Sequence, residues 1–336
     1  YWISSSLFRR CVTSSRVYRP KPVFVPAKRQ SIPTFFTPLR PSGFAGLAEE
    51  SPLVSTLDFL LKDIIEVLWH DTCMNIETVL KEATGISKLD AKVLLAALLK
   101  KDQAWMLAHP EIEITLGDLS RWSEWLERRM AGEPVAYITG NKEFYGREFI
   151  VDPAVLIPRP STETLIDLTL NLLKTGEDMV KEADTQIVIA AKAFEDLKDV
   201  KHIVDVGTGS GCIAITLALE EPSLSISATD ISEGALIVAK SNASMYDVSI
   251  DFRHGNLLEP MGDFTSPFIL VSNPPYIPEG EELMEDVIKF EPHSALFSGK
   301  DGADTLRELV AQARAHPLCL GIVVECREEQ IPMLSL

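Results

Sequence analysis

No stretch of the 336 residues approaches the roughly 18 consecutive apolar residues that a membrane span requires. A membrane-embedded role is therefore not expected. The five cysteines, Cys11, Cys73, Cys212, Cys319 and Cys326, include no Cys-x-x-Cys pair. That argues against a structural zinc site or a disulfide framework, with no metal expected, and fits a reducing compartment. Acid is missing from residues 1–46, which hold eight Lys or Arg and no Asp or Glu. With that leader at +8 and the whole chain at −17, the remainder carries a formal charge of −25. A body so acidic disfavours the basic groove that phosphate backbones require, and no direct nucleic-acid binding is expected.

What is present divides the chain into regions. The leader is rich in Arg and Ser and punctuated by Pro, as in "SSRVYRPKPVFVPAKRQ". This composition fits a mitochondrial transit peptide, or otherwise a disordered basic tail. Residues 47–135 read as a helical domain. Leu57, Leu60, Leu61, Ile64, Ile65 and Leu68 recur at helical spacing within Leu53 to Trp69. Ser87 can cap a second helix through "AKVLLAALL", and Thr115 to Met130 forms a third. Residues 136–336 change register. A short β-hairpin is expected to turn at Gly146, and a helix to start after Ser161 or Thr162 as its cap. Residues 174–200 are polar and acidic, and read as an insertion, partly helical. From Ile203 strands and helices alternate, the signature of a doubly wound, mostly parallel sheet. Ligands in such sheets bind at the carboxyl ends of strands.

Two stretches at such ends carry chemistry. "VDVGTGSG" sets Gly207, Thr208, Gly209, Ser210 and Gly211 between a strand and a helix. Glycine admits close approach of a ligand to the backbone, and a helix N-terminus adds partial positive charge. Alone, the pattern fits a dinucleotide, a nucleoside or a tight turn. Asp205 before the loop is awkward beside a pyrophosphate and acceptable beside a sulfonium or an ammonium. Asp230 ends the next strand, where a carboxylate can accept both ribose hydroxyls, or can simply cap the following helix. The second stretch, "ILVSNPPYIP", ends an apolar strand at Asn273, Pro274, Pro275 and Tyr276. The Asn273 side-chain oxygen and the Pro274 carbonyl are fixed acceptors that can bind the two N–H groups of an amide or amino nitrogen. They would aim its lone pair at a methyl donor, with Tyr276 stacked on the planar group. The bland alternative is a Pro-Pro turn after a strand.

These motifs, with "GEPVAYITGNKEFYG", "LIPRPSTETL" and "FEPHSALFSGKDGADTLREL", resemble the HemK/PrmC family over about Leu53 to Gln330. That family methylates the glutamine of the Gly-Gly-Gln motif in peptide-chain release factors with S-adenosyl-L-methionine. The resemblance implies an α/β class I methyltransferase fold behind an N-terminal helical bundle and a short β-hairpin link. It also implies cofactor contacts from Gly207 to Gly211, Asp230, Leu257 and Asn273. Asn273, Pro274, Pro275 and Tyr276 would bind glutamine, with Asn273, Pro274 and Tyr276 catalytic. The helical domain would dock a release factor, and the leader points to the mitochondrial matrix. A monomer is expected if the C-terminus is complete.

The chain departs from the family pattern at several points. Asn256 precedes Leu257 where the family often has Asp, and Ser161 stands for a Glu. After "GIVVEC" the sequence diverges and the family's terminal β-hairpin is missing. Ile322, Val323 and Val324 are therefore expected on an exposed sheet edge prone to pairing with other chains, with activity weak. Two rival readings follow: a nucleic-acid amino-methyltransferase, which can share Asn-Pro-Pro-Tyr, and a catalytically silent cofactor-binding protein.

Overall fold

The computed structural model describes residues 74–175, 186–191, 197 and 200–334. The basic leader and the helix expected over Leu53 to Trp69 lie outside the described residues. The chain divides into two units, one ending at Glu127 and the other beginning at Arg128.

The first unit is helical, as its apolar spacing requires. Strand β1 (Met74–Asn75) pairs antiparallel with β2 (Glu113–Ile114). Between them lie α1 (Ile76–Glu82), α2 (Lys88–Leu99) and α3 (Gln103–Ala108), and α4 (Leu116–Met130) follows. Each start is fixed by a side-chain cap that satisfies an orphan N–H. The Asp90 N–H donates to Ser87 Oγ at 3.0 Å, the cap expected from sequence, and the Asp118 N–H donates to Thr115 Oγ1 at 3.1 Å. Ile76, Val79, Leu94, Leu95, Met106 and Ile114 bury the inner faces. No described helix is long and apolar enough to cross a membrane.

The second unit opens with α5 (Val135–Thr139) and the hairpin β3 (Asn141–Phe144) and β4 (Arg147–Ile150). Its two-residue turn has positive φ at Tyr145 (53°) and Gly146 (72°), the twist that matches paired strands. Next come a 3-10 turn, Pro160–Thr162, and α6 (Glu163–Thr175). Thr162 and Ser161 do not act there as the expected caps. Their hydroxyls are turned to Glu325 instead.

Six strands build the main sheet: β5 (Gln186–Ala191), β6 (His202–Val206), β7 (Ser225–Asp230), β8 (Asp251–His254), β9 (Phe268–Ser272) and β10 (Cys319–Cys326). The lateral order is β5-β10-β9-β6-β7-β8, with β5 antiparallel and the other five parallel. Crossovers run through α7 (Cys212–Glu220), α8 (Glu233–Met245), the short α9 (Glu285–Phe290) and α10 (Asp304–Ala315). Alternate residues of one strand feed opposite faces. Val323 and Val271 join Ile166 and Ile213 on one side, while Ile322, Val324 and Leu270 join Leu306 and Leu309 on the other. The result is an apolar core on both faces of the sheet.

In its described part the acidic stretch 174–200 holds α6's last residues, the strand β5 and a 3-10 turn at Leu197. One expectation is corrected here. Strand β10 is not an open edge: Gly321–Cys326 pair with Ala191–Gln186, and Ile322, Val323 and Val324 are fully buried. The place expected to be vacant beside β10 is taken by a segment from earlier in the chain. The physical reason lies in "QIVIAA", a β-branched run inside acidic flanks, which suits a strand pairing with any free backbone edge.

Candidate active site

The chain runs from β6 outward to β7 and β8, then returns to the other side of β6 for β9 and β10. Strands β6 and β9 therefore diverge in connectivity, and their carboxyl ends frame the crevice where ligands of such sheets bind. Asp205 pairs in register with Val271, so two residues further Gly207 lies level with Asn273. The two motifs singled out from sequence are brought side by side. The Ser272 hydroxyl, donating to the Val206 carbonyl at 2.7 Å, ties their bases together.

Gly207, Gly209 and Gly211 all have positive φ (72°, 55° and 81°). A Cβ on Gly207 or Gly209 would meet nothing within 4 Å, so the first two glycines leave open space toward the crevice. On Gly211 it would stand 3.0 Å from Ile215 Cδ1 and 3.2 Å from Ala239 Cβ, where α7 packs on α8. Most of the loop's N–H groups are already engaged. Gly207 and Thr208 donate to the Thr229 carbonyl at 2.9 and 3.0 Å, and Gly209 donates to Asp230 Oδ2 at 2.9 Å. A pyrophosphate cradle needs such donors aimed at the ligand. This loop spends them on β7, which disfavours a dinucleotide.

Asp230 is nearly buried and also accepts the Ser232 N–H on Oδ1 at 2.8 Å; burial pushes its carboxyl upward. Ser232 itself caps α8 by accepting the Ala235 N–H. The cap role considered for Asp230 thus belongs to its neighbour, and Asp230 braces the loop with lone pairs left for hydroxyl donors. Asp205 is fully buried. Its Oδ2 accepts the Thr208 hydroxyl at 2.6 Å and the Ala214 N–H at 3.2 Å, while Oδ1 has no partner among the described residues. Burial raises its carboxyl to about 7. An orphaned buried carboxylate oxygen is costly unless a cationic or hydrogen-bonding ligand completes it. The donor set fits a nucleoside that carries positive charge, as S-adenosyl-L-methionine does. The Cys212 thiol behind the loop is pushed up to about 12 by burial and is no nucleophile.

Leu257 follows β8 with φ 49°, a left-handed conformation held by the Thr229 hydroxyl, which donates to its carbonyl at 2.8 Å. The Leu258 N–H donates to Gln312 Oε1 on α10. Asn256 faces away, its Nδ2 donating to Glu308 Oε1 at 2.6 Å. Ser210 is buried, and its carbonyl accepts from Asn242 Nδ2. Asn242 also exchanges two hydrogen bonds with the Ile150 backbone, so it ties the hairpin to the glycine loop. On a helix it reads as a solvent-facing polar residue, and nothing in the sequence marked it.

Asn273 to Tyr276 line a cleft of about 520 Å³ with Leu156, Arg159, Leu283 and Met284. Asn273 Nδ2 donates to Thr162 Oγ1 at 2.9 Å, and Thr162 donates to Glu325 Oε2 at 2.8 Å. Glu325, at the end of β10, is buried and also accepts the Ser161 and Tyr276 hydroxyls, each at 3.3 Å. The Asn273 amide oxygen and the Pro274 carbonyl accept nothing among the described residues. Tyr276 stays protonated, its hydroxyl pushed up to about 12 by burial and by Glu325. The loop is clamped from behind. Gln330 Nε2 donates to the carbonyls of Tyr276 (3.2 Å) and Gly302 (3.0 Å), and Arg327 grips Glu281 with two hydrogen bonds. A Cβ on Gly302 would stand 2.4 Å from the Tyr276 carbonyl, so "KDG" must end in glycine. Sequence reasoning missed Thr162, Glu325 and Gln330 as parts of this site. The residues after "GIVVEC", read as divergent, supply its support.

Comparisons with known proteins agree with this geometry. Residues 73–140 match the PrmC N-terminal domain family and residues 181–295 the Methyltransferase small domain family. The release factor glutamine methyltransferase of Koribacter versatilis is 40% identical over 236 residues, 69% of this chain and 76% of that protein. That of Coxiella burnetii is 35% identical over 245 residues, 72% of this chain and 79% of that protein. The bifunctional methyltransferase of Rickettsia typhi is 39% identical over 240 residues, 70% of this chain and 45% of that protein. The chain thus spans about three quarters of the first two relatives and under half of the third. With its mostly parallel sheet and a glycine loop at the switch point, it is a class I methyltransferase that belongs to the release factor glutamine methyltransferase family.

Proposed function

We propose that this chain transfers a methyl group from S-adenosyl-L-methionine to the side-chain amide nitrogen of the glutamine in a release factor's Gly-Gly-Gln motif. The observation that carries the reading is the state of Asn273. Its NH₂ donates to Thr162, so its oxygen is left to face the cleft beside the Pro274 carbonyl, which accepts nothing among the described residues.

Gly207 to Gly211, Asp205, Asp230 and Leu257 would hold the cofactor: Asp230 by accepting ribose hydroxyls, Asp205 Oδ1 by accepting from a cationic donor. Bound there, it would supply an electrophilic methyl to the amide nitrogen, with the S–C electron pair left on sulfur and the displaced amide proton passing to water. Asn273 and Pro274 accept the two amide N–H groups. They turn the nitrogen's lone pair toward the donor and offset the positive charge that grows on nitrogen. Tyr276 and Pro275 close the cleft around the planar amide. The proton becomes acidic only as the bond forms, so no strong base is needed.

The helical domain, residues 47–135, docks the release factor in this reading. The basic composition of residues 1–46 supports action in the mitochondrial matrix, tested by fusing those residues to a fluorescent protein and locating it. For the reaction, the test is transfer of a labelled methyl group to a release factor and to the same factor with its Gly-Gly-Gln glutamine replaced by glutamate. Label on the first and not on the second is expected. Equal labelling of both would overturn the assignment.

A further inference from the structure

The substrate-facing side of Asn273 depends on which end of its amide points inward, and that choice is made by residues far away in sequence. A primary amide has an acceptor end and a donor end of almost the same shape, so packing alone hardly distinguishes them. Hydrogen bonding does. Thr162 has one hydroxyl proton, and it is committed to Glu325 Oε2 at 2.8 Å. Its oxygen can then only accept, and what it accepts is Asn273 Nδ2 at 2.9 Å. Glu325 receives further hydroxyls from Ser161 and Tyr276, so three donors converge on one buried carboxylate. Burial raises the Glu325 carboxyl while the three hydroxyls favour its charged form; ionised, it only accepts, and it is the fixed end of the relay. Were that acceptor lost, the Thr162 proton would be free to donate to Asn273 Oδ1. The amide would turn over and present NH₂ to the substrate amide's own N–H groups.

We infer that Glu325, acting through the Thr162 hydroxyl, is a positioning residue that sets the orientation of the Asn273 amide and so makes the cleft a receiver of N–H groups. This rests on the reading above that Asn273 Oδ1 receives the substrate amide. Glu325 touches neither substrate nor cofactor in this arrangement. The relay also explains why Ser161 and Thr162 are withdrawn from helix capping and why a carboxylate is buried at the end of β10.

A double-mutant cycle on turnover tests it, with Asn273→Ala alongside. Thr162→Val keeps the side chain's shape and removes the relay, and Glu325→Met removes the fixed acceptor. Each is expected to lower kcat by about ten- to a hundredfold, the scale of a misoriented reacting group. The KM for the release factor and cofactor affinity by calorimetry should stay within a few-fold. The double variant should be no slower than Thr162→Val, because both changes break one chain of bonds. Thr162→Ser, which restores the hydroxyl, should recover most of kcat. Should the valine lower the unfolding temperature, Thr162→Ala takes its place in the cycle. Wild-type kcat in Thr162→Val, or losses that multiply in the double variant, would overturn the inference while an inactive Asn273→Ala left the functional reading standing. Near-normal turnover in Asn273→Ala would remove the reading itself, and the inference with it.

Discussion

The two sides of the crevice are built in opposite ways. The cofactor side is local: Asp205, Thr208 and Ala214 lie within nine residues of one another, and Gly209 reaches Asp230 over 21. The substrate side is assembled across the chain, with Asn273 to Thr162 separated by 111 residues and Thr162 to Glu325 by 163. The first side is a rigid backbone device with one carboxylate oxygen left open. The second is a side-chain relay that points one amide. Changes on the first should move cofactor binding, and changes on the second should move turnover.

The largest expected break is Asn273→Ala. Loss of the orienting acceptor should abolish methylation, worth on the order of 3 kcal/mol or more of transition-state stabilisation, with cofactor affinity within a few-fold. Parallel assays of turnover and calorimetric binding would read both. Gly302→Ala comes next. It forces a left-handed residue and drives a methyl against the Tyr276 carbonyl, so about 3 kcal/mol of stability should go, seen in denaturant unfolding. Gly209→Ala has open space and only the conformational strain, and should lose about 1 kcal/mol. A reversed ranking of the two glycines would contradict the tight clamp behind Tyr276.

Asp230→Ala should weaken S-adenosyl-L-methionine by about tenfold or more, since it removes both the ribose acceptor and the brace on Gly209. An unchanged dissociation constant would reduce Asp230 to a structural role.

The smallest effect concerns Asp205. Burial raises its carboxyl to about 7, and its Oδ1 has no partner among the described residues. A cationic ligand favours the ionised form, so binding below about pH 7 should release a proton from Asp205. Cofactor affinity should therefore rise with pH up to about 7 and then level off. Calorimetry in buffers of different ionisation enthalpy would count the proton, and Asp205→Asn should flatten the slope. Affinity that falls as pH rises through this window would place no cation beside Asp205.

The same contrast explains what could be read from sequence. The glycine loop, the hairpin turn at Gly146 and the Ser87 cap depend on residues a few positions apart, where local stereochemistry decides, and Asp230 follows the loop by one strand-helix unit. Asn-Pro-Pro-Tyr was legible because two prolines after an apolar strand have little other use. Thr162 and Glu325 were not. One sits where a helix cap is expected, and the other looks like the polar end of a strand; only the fold makes them neighbours. Strand β5 was hidden by its acidic flanks, and its pairing with β10 closes an edge that chain order alone left open. Asn242 and the Gln330 Nε2 carry little local signal, because they bond backbone groups far away in sequence: Ile150 and Ser210 for the first, Tyr276 and Gly302 for the second.

The most direct measurement is tandem mass spectrometry of a release factor incubated with this chain and S-adenosyl-L-methionine, beside the same reaction with Asn273→Ala. One added methyl on the side-chain nitrogen of the Gly-Gly-Gln glutamine, absent with the variant, is the expected result. A methyl on any other residue, or an equally methylated glutamine with Asn273→Ala, would contradict it.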